Sequence, residues 1–191
     1  MKNFNPKAVN QIIKSFVFLF ILSVSTLFVV SCSSDSDADV TPPNTVNPPG
    51  SPGSKAPDFS LNSSDGKLVK LSDYSGRVVV LFFFGNSCPS CKVAGPSIES
   101  KLAAPYASNS NYQIIGLDQW DGNLASVQSF KTTTGVSFPL LLNASSTTAA
   151  YKTTFDRLVV IDKNGNIAFS GTKLAASDAD AVKSKVDELL K

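Results

Sequence analysis

Three runs of apolar residues, each ended by a turn-forming cluster, organise this chain. Residues 78–84 are Val-Val-Val-Leu-Phe-Phe-Phe, β-branched and then aromatic, and Gly85-Asn86-Ser87 breaks the run. A strand without polar alternation is one covered on both faces of a sheet. Residues 113–117 predict a second buried strand and residues 158–162 a third, while residues 138–142 form a shorter apolar run. From the third strand, Lys163-Asn164-Gly165-Asn166 leads into Ile167-Ala168-Phe169-Ser170, and Asn-Gly between apolar runs signals a hairpin.

Between these runs the apolar period changes to that of a helix. Val93, Ile98 and Leu102 mark a helix over residues 89–104, with Pro96 inside it predicting a kink. Leu124, Val127 and Phe130 share one helical face, and residues 179–190 form an amphipathic closing helix. At the front, residues 56–61 alternate, turn over residues 62–66, and can pair with residues 68–71. Strand, helix, strand, helix, hairpin and helix together predict an α/β sandwich with a mixed central sheet flanked by helices.

The first 54 residues follow a different pattern. Lys2, Lys7 and Lys14 precede a 16-residue run, residues 15–30, of mostly apolar side chains. That is the form of an export signal, and it is shorter than the roughly 20 residues needed to span a bilayer core. Val29-Val30-Ser31-Cys32 resembles the lipobox of bacterial lipoproteins, which implies that Cys32 becomes lipidated and leaves the thiol inventory. Residues 33–54 are rich in Ser, Asp and Pro and cannot bury enough surface to offset ordering entropy, as in a semi-extended tether. Their acidic start, residues 34–39, resembles signals that sort lipoproteins to the outer surface; solvated linker composition is the alternative. The expected organisation is thus a lipoprotein signal peptide over residues 1–31, a disordered tether over residues 32–54, and one domain over residues 55–191.

Charge adds little until it is divided along the chain. The net charge is +2, too small to suggest a nucleic-acid partner, and losing the three signal lysines takes it to −1. Cysteine and histidine content is more decisive. The chain has three cysteines and no histidine, so Cys88-Pro89-Ser90-Cys91, at the junction of the main strand and its helix, has almost nothing else to combine with. A structural zinc site needs about four ligands and is not supplied here. A purely structural disulfide would close a loop too short to constrain the unfolded chain much. A redox dithiol fits best: at a helix N-terminus Cys88 meets free N–H groups that favour a thiolate, while Cys91, one turn in, can resolve a mixed disulfide.

The order of motifs resembles the thioredoxin superfamily, specifically its TlpA/ResA-like and redoxin branch. Ala56-Pro57-Asp58-Phe59, the segment from Leu71 through Val80, Phe82-Phe83-Phe84, Cys88-Pro89-Ser90-Cys91-Lys92 with Pro96, and Val160-Ile161-Asp162-Lys163-Asn164-Gly165 are similar to its landmarks. The resemblance implies a thioredoxin-like fold and a substrate groove beside the dithiol, to which Pro89, Ser90, Trp120 and Asp156 are assigned. Trp120 is equally well read as a half-buried packing residue, and Lys92 as a solvated helix residue.

Three departures from the family stand out. Ser87 replaces the aromatic residue that commonly precedes the first cysteine. Asp156 occupies the position of the proline that faces the disulfide, where a carboxylate would raise a thiol pKa. Phe82 and Ala94 occupy the positions where family members keep an acidic proton acceptor. The Pro-x-x-x-Thr/Ser-x-x-Cys motif of redoxin peroxidases is also absent, since Leu81 and Gly85 stand at its positions upstream of Cys88, and Phe84 and Cys88 at those upstream of Cys91.

The expected function is therefore a lipid-anchored thiol–disulfide oxidoreductase of the bacterial cell envelope, without cofactor or metal. Cys88 is its nucleophile and Cys91 its resolving thiol. Its partners are protein thiols or disulfides, a redox partner protein, and the membrane through the anchor. A thiol peroxidase and a non-enzymatic thioredoxin-fold binding module are the alternatives.

Overall fold

Every side chain of the strand β3 (Val78–Phe84) is buried, and the layers of the domain follow from covering its two faces. A computed structural model describes residues 47, 48, 50–171 and 174–191. The signal-like segment, Cys32 and residues 33–46 of the tether lie outside the described residues. β3 is the middle of a five-stranded mixed sheet. On one side it pairs in parallel with β4 (Tyr112–Asp118), which pairs in parallel with β5 (Leu140–Leu141). On the other it pairs antiparallel with β6 (Arg157–Ile161), which turns through the predicted hairpin into β7 (Ile167–Ser170). A separate hairpin joins β1 (Ser60–Asn62) to β2 (Leu68–Lys70).

The period-2 alternation of β3 divides its side chains between two cores. Val78, Val80, Phe82 and Phe84 pack under α1 (Pro89–Ile98), α2 (Leu124–Thr134) and α4 (Ala175–Leu189), among Ile98, Leu102, Phe130, Val182 and Val186. Val79, Leu81 and Phe83 face Phe59, Val69, Tyr151 and Ile167 on the opposite side. The aromatic end of β3 is stacked on the helical layer, with Phe84 and Phe130 ring centroids 4.4 Å apart.

The helix after the dithiol is regular only as far as Ile98. Pro96 lies inside it, and the chain continues as a π-helical segment, Glu99–Ala103, and a short 3₁₀ turn, Ala104–Tyr106. Proline removes one intrahelical hydrogen bond and crowds the preceding turn, so the kink expected from sequence is taken up as wider winding. A helix not expected from sequence, α3 (Ser145–Ala150), follows β5. Its six residues, Ser-Ser-Thr-Thr-Ala-Ala, carry no apolar period, and the Thr148 hydroxyl donates to the Ala144 carbonyl at 2.8 Å.

Two boundaries differ from the sequence expectation. α4 begins at Ala175, four residues before the predicted start, because its first buried residue is a small alanine without an apolar signature. Residues 50–54, read from sequence as tether, are held against β7. The Gly53 N–H donates to the Ile167 carbonyl at 2.8 Å, and the Ile167 N–H donates back to the Ser54 carbonyl at 2.8 Å. Backbone pairing needs no apolar side chain, so composition did not reveal it. Among the described residues no helix is long and apolar enough to cross a membrane.

The stacked pair at the end of β3 carries a stability prediction. Phe130→Ala removes a fully buried ring from between α2 and β3 and should cost about 3–5 kcal/mol, measured by urea denaturation; a loss below ~1 kcal/mol would contradict this packing.

Candidate active site

The carboxyl ends of β3 and β4 and the amino end of β6 meet at one edge of the sheet, since Phe84 is opposite Asp118 and Phe83 opposite Arg157. Loops at the carboxyl ends of parallel strands are where α/β sheets place their chemistry. Three loops converge there: residues 85–88 before α1, residues 119–123 before α2, and residues 152–156 before β6.

Cys88 and Cys91 are joined in a disulfide, with Cα atoms 5.3 Å apart. Cys88 is the N-cap of α1, and its Sγ accepts the Cys91 N–H at 3.1 Å. Pro89 occupies the first helical turn, where its fixed φ suits the helix and its missing N–H costs nothing. The Ser90 hydroxyl lies 3.2 Å from the same sulfur. These groups also favour the state after reduction: a sulfur at a helix N-cap with an N–H aimed at it is stabilised as a thiolate. Both cysteines are buried, at 1% and 0% exposure, beneath exposed Ser87, Pro89 and Ser90.

Trp120 lies at this edge, as its position after β4 suggested. Its ring covers Gly85, where an added Cβ would come within 2.5 Å of it, and meets Phe155 edge to face at 5.2 Å between centroids. At 43% exposure it presents the remaining surface to solvent. The aromatic ledge missing at Ser87 is thus supplied from a different loop. Phe82 and Ala94 are both fully buried in the helical-side core, so these positions contribute packing and no proton acceptor.

Asp156 has a different setting from that expected of a free charge in a groove. It is buried, has φ +58°, and its Oδ1 accepts the N–H of Ala175, the first residue of α4, at 3.2 Å. The carboxylate therefore caps a distant helix, where a negative charge complements the N-terminal end of the dipole. Aspartate tolerates left-handed backbone better than most residues.

Sequence reading passed over a buried polar pair beside the dithiol. Asp118, fully buried, accepts the Asn86 N–H at 3.0 Å, the Gly122 N–H at 2.8 Å, the Trp120 N–H at 3.3 Å and the Asn86 side-chain amide at 3.0 Å. Asn86 passes the connection on, since its Oδ1 accepts the Ser87 hydroxyl at 2.9 Å. The two loops approach so closely that a Cβ on Gly122 would lie 2.2 Å from the Asn86 amide nitrogen. The available signal was an acidic residue closing the run Ile114-Ile115-Gly116-Leu117. Among the described residues no cluster of His, Cys, Asp or Glu could hold a metal ion.

This site on this sheet defines a thiol–disulfide oxidoreductase of the thioredoxin and redoxin type. The chain belongs to the AhpC/TSA family, which matches residues 52–170. It is 30% identical over 120 residues to the thioredoxin-like protein YneN of Bacillus subtilis, spanning 60% of this chain and 68% of that protein. It is 32% identical over 93 residues to the thiol-disulfide oxidoreductase ResA of the same organism, about half of each chain (49% and 50%). Among solved structures, it resembles a Bacteroides thetaiotaomicron protein assigned as a protein disulfide isomerase. That match has a TM-score of 0.68 and 30% identity, covering 73% of this chain and 90% of the other.

The setting of Asp156 makes reinstating the family proline harmful. Asp156→Pro demands φ near −65° where the backbone has +58°, and should destabilise the domain by more than about 1 kcal/mol. Asp156→Asn, which keeps an acceptor and the backbone tolerance, should lose less. Thermal denaturation of the two variants checks the order, and an Asp156→Pro protein as stable as the parent would refute it.

Proposed function

We propose that the chain is a lipid-anchored thiol–disulfide oxidoreductase of the bacterial cell envelope, exchanging disulfides with protein partners through Cys88 and Cys91. The observation that carries the reading is the placement of Cys88 Sγ at the N-cap of α1, 3.1 Å from the Cys91 N–H and bonded to Cys91. In the reducing direction the Cys88 thiolate attacks a partner disulfide, forming a mixed disulfide and releasing one partner thiolate. The Cys91 thiol, losing its proton to solvent, then displaces the second partner sulfur and closes the Cys88–Cys91 bond. Two electrons pass to the partner, and the released thiolates take up protons according to their pKa values. The same steps in reverse oxidise a partner dithiol, and a second redox protein resets the pair.

Anchoring rests on the N-terminal sequence: an export-type segment ending in a lipobox-like Val29-Val30-Ser31-Cys32. A diacyl or triacyl modification on Cys32 would give a stable membrane attachment, since two or more chains are needed for one. Residues 33–46 would then act as the spacer between membrane and domain.

Cys88→Ser should lower insulin reduction in the presence of a small thiol by about two orders of magnitude or more, whereas Cys91→Ser should trap a mixed disulfide with the partner. Unchanged insulin reduction in Cys88→Ser would reject the assignment. Cys88-dependent consumption of hydrogen peroxide without insulin reduction would assign the site to peroxide chemistry instead. Cys32→Ser should move the protein from the membrane to the soluble fraction in the bacterial host, and retention at the membrane would reject the lipid anchor.

A further inference from the structure

The carboxylate of Asp118 is fully buried and has no part in the disulfide exchange at Cys88 and Cys91. Burying a carboxylate costs several kcal/mol unless its oxygens are hydrogen-bonded. Among the described residues none of the ion pairs involves Asp118. Four N–H donors compensate the charge instead, the Asn86 side-chain amide reaching both oxygens. Oδ1 takes the backbone N–H groups of Asn86 and Trp120, and Oδ2 takes that of Gly122 and the Asn86 side-chain amide. The contacts to residues 120 and 122 are local and would suffice to shape a turn. Those to Asn86 cross 32 positions of sequence to the loop that carries Cys88.

We propose that Asp118 is a positioning residue for the dithiol: with Asn86 it clamps the loop before Cys88 to the loop bearing Trp120, so that the Cys88 sulfur stays at the helix N-cap when the disulfide opens. Asn86 is two residues before Cys88, no more than about 7.6 Å of chain away. The intervening Ser87 is itself tied to Asn86 through its hydroxyl at 2.9 Å. When the Cys88–Cys91 bond breaks, the short covalent ring no longer holds the sulfur at the Cys91 N–H. The clamp then holds the loop by non-local hydrogen bonds, together with the Gln119 N–H to Phe84 carbonyl bond at 2.9 Å and the packing of Trp120 over Gly85. With N–H donors on both oxygens, the Asp118 carboxylate is suited to holding the loop. The proposal rests on Cys88 being the reactive thiol.

Charge and position predict opposite effects, and this makes the role testable. The charged groups on the loops and element ends that meet at the dithiol edge are Lys92 on α1, Asp118 at the end of β4, Asp121 in the loop after it, Lys152 and Asp156 in the loop before β6, and Arg157 at the start of β6. Asp118→Asn is nearly isosteric, removes one negative charge from this set, and replaces an acceptor oxygen by an N–H donor. If Asp118 acts on Cys88 only through its field, neutralising it makes the thiolate easier to form. If it acts by holding the loop, the displaced sulfur loses its N–H contact and the thiolate becomes harder to form.

The experiment is the pH profile of iodoacetamide alkylation at Cys88, read on its own peptide by mass spectrometry. It uses the reduced full-length protein in a Cys91→Ser background, with circular dichroism to check that each variant folds. Asp118→Asn should slow alkylation at pH 7 by roughly three- to tenfold and move the profile to higher pH. Alkylation that is faster or unchanged would overturn the proposal. Should Asp118→Asn fail to fold, Asn86→Ala, which removes the side-chain donor and keeps the carboxylate, decides alone. Slower alkylation then supports the clamp and an unchanged rate rejects it. Because alkylation needs no partner protein, the result is independent of whether the domain reduces insulin.

Discussion

Seven consecutive buried side chains in β3 require cover on both faces of the sheet, and the layers of the domain answer that requirement. The even-numbered residues draw α1, α2 and α4 onto one face, and the odd-numbered residues draw the β1–β2 hairpin and Tyr151 onto the other. The same strand fixes the site. It runs parallel to β4 and antiparallel to β6, so the loops after β3 and β4 and the loop before β6 open at a single edge. Packing therefore brings the loops carrying the dithiol, Trp120 and Phe155 to one edge.

Features that depend on one local stretch were legible in the sequence. β3 was bounded by its own apolar run, the Asn164-Gly165 turn by its dipeptide, and the dithiol by two cysteines behind a strand. Features that depend on partners far along the chain were not. α3 is a polar hexapeptide with no period to read. The pairing of residues 50–54 with β7 is made by backbone groups. Asp118 and Asn86 sit on either side of a 32-residue separation, and nothing in either neighbourhood identifies the other. Asp156 was conspicuous as a departure from the family, but its carboxylate is directed at the N-terminus of α4, a link that only the tertiary structure reveals.

The site retains family sulfur chemistry on partly different supports. The aromatic surface commonly placed before the first cysteine is replaced by Trp120 lying over Gly85. Phe82 and Ala94 make the usual acid positions apolar, so neither supplies a proton acceptor. What remains in common is the most economical element: a sulfur at the start of a helix, with a backbone N–H 3.1 Å away. Such an arrangement favours the thiolate without a charged neighbour, consistent with a chain that contains no histidine.

The reduction potential of the Cys88/Cys91 pair, measured by equilibration with glutathione or dithiothreitol buffers, tests the central claim most directly. A pair that exchanges disulfides with partners should lie between roughly −270 and −120 mV, the span of thioredoxin-type dithiols. A potential below about −300 mV, the region of structural disulfides, would contradict the account and make the bond a fixed part of the fold.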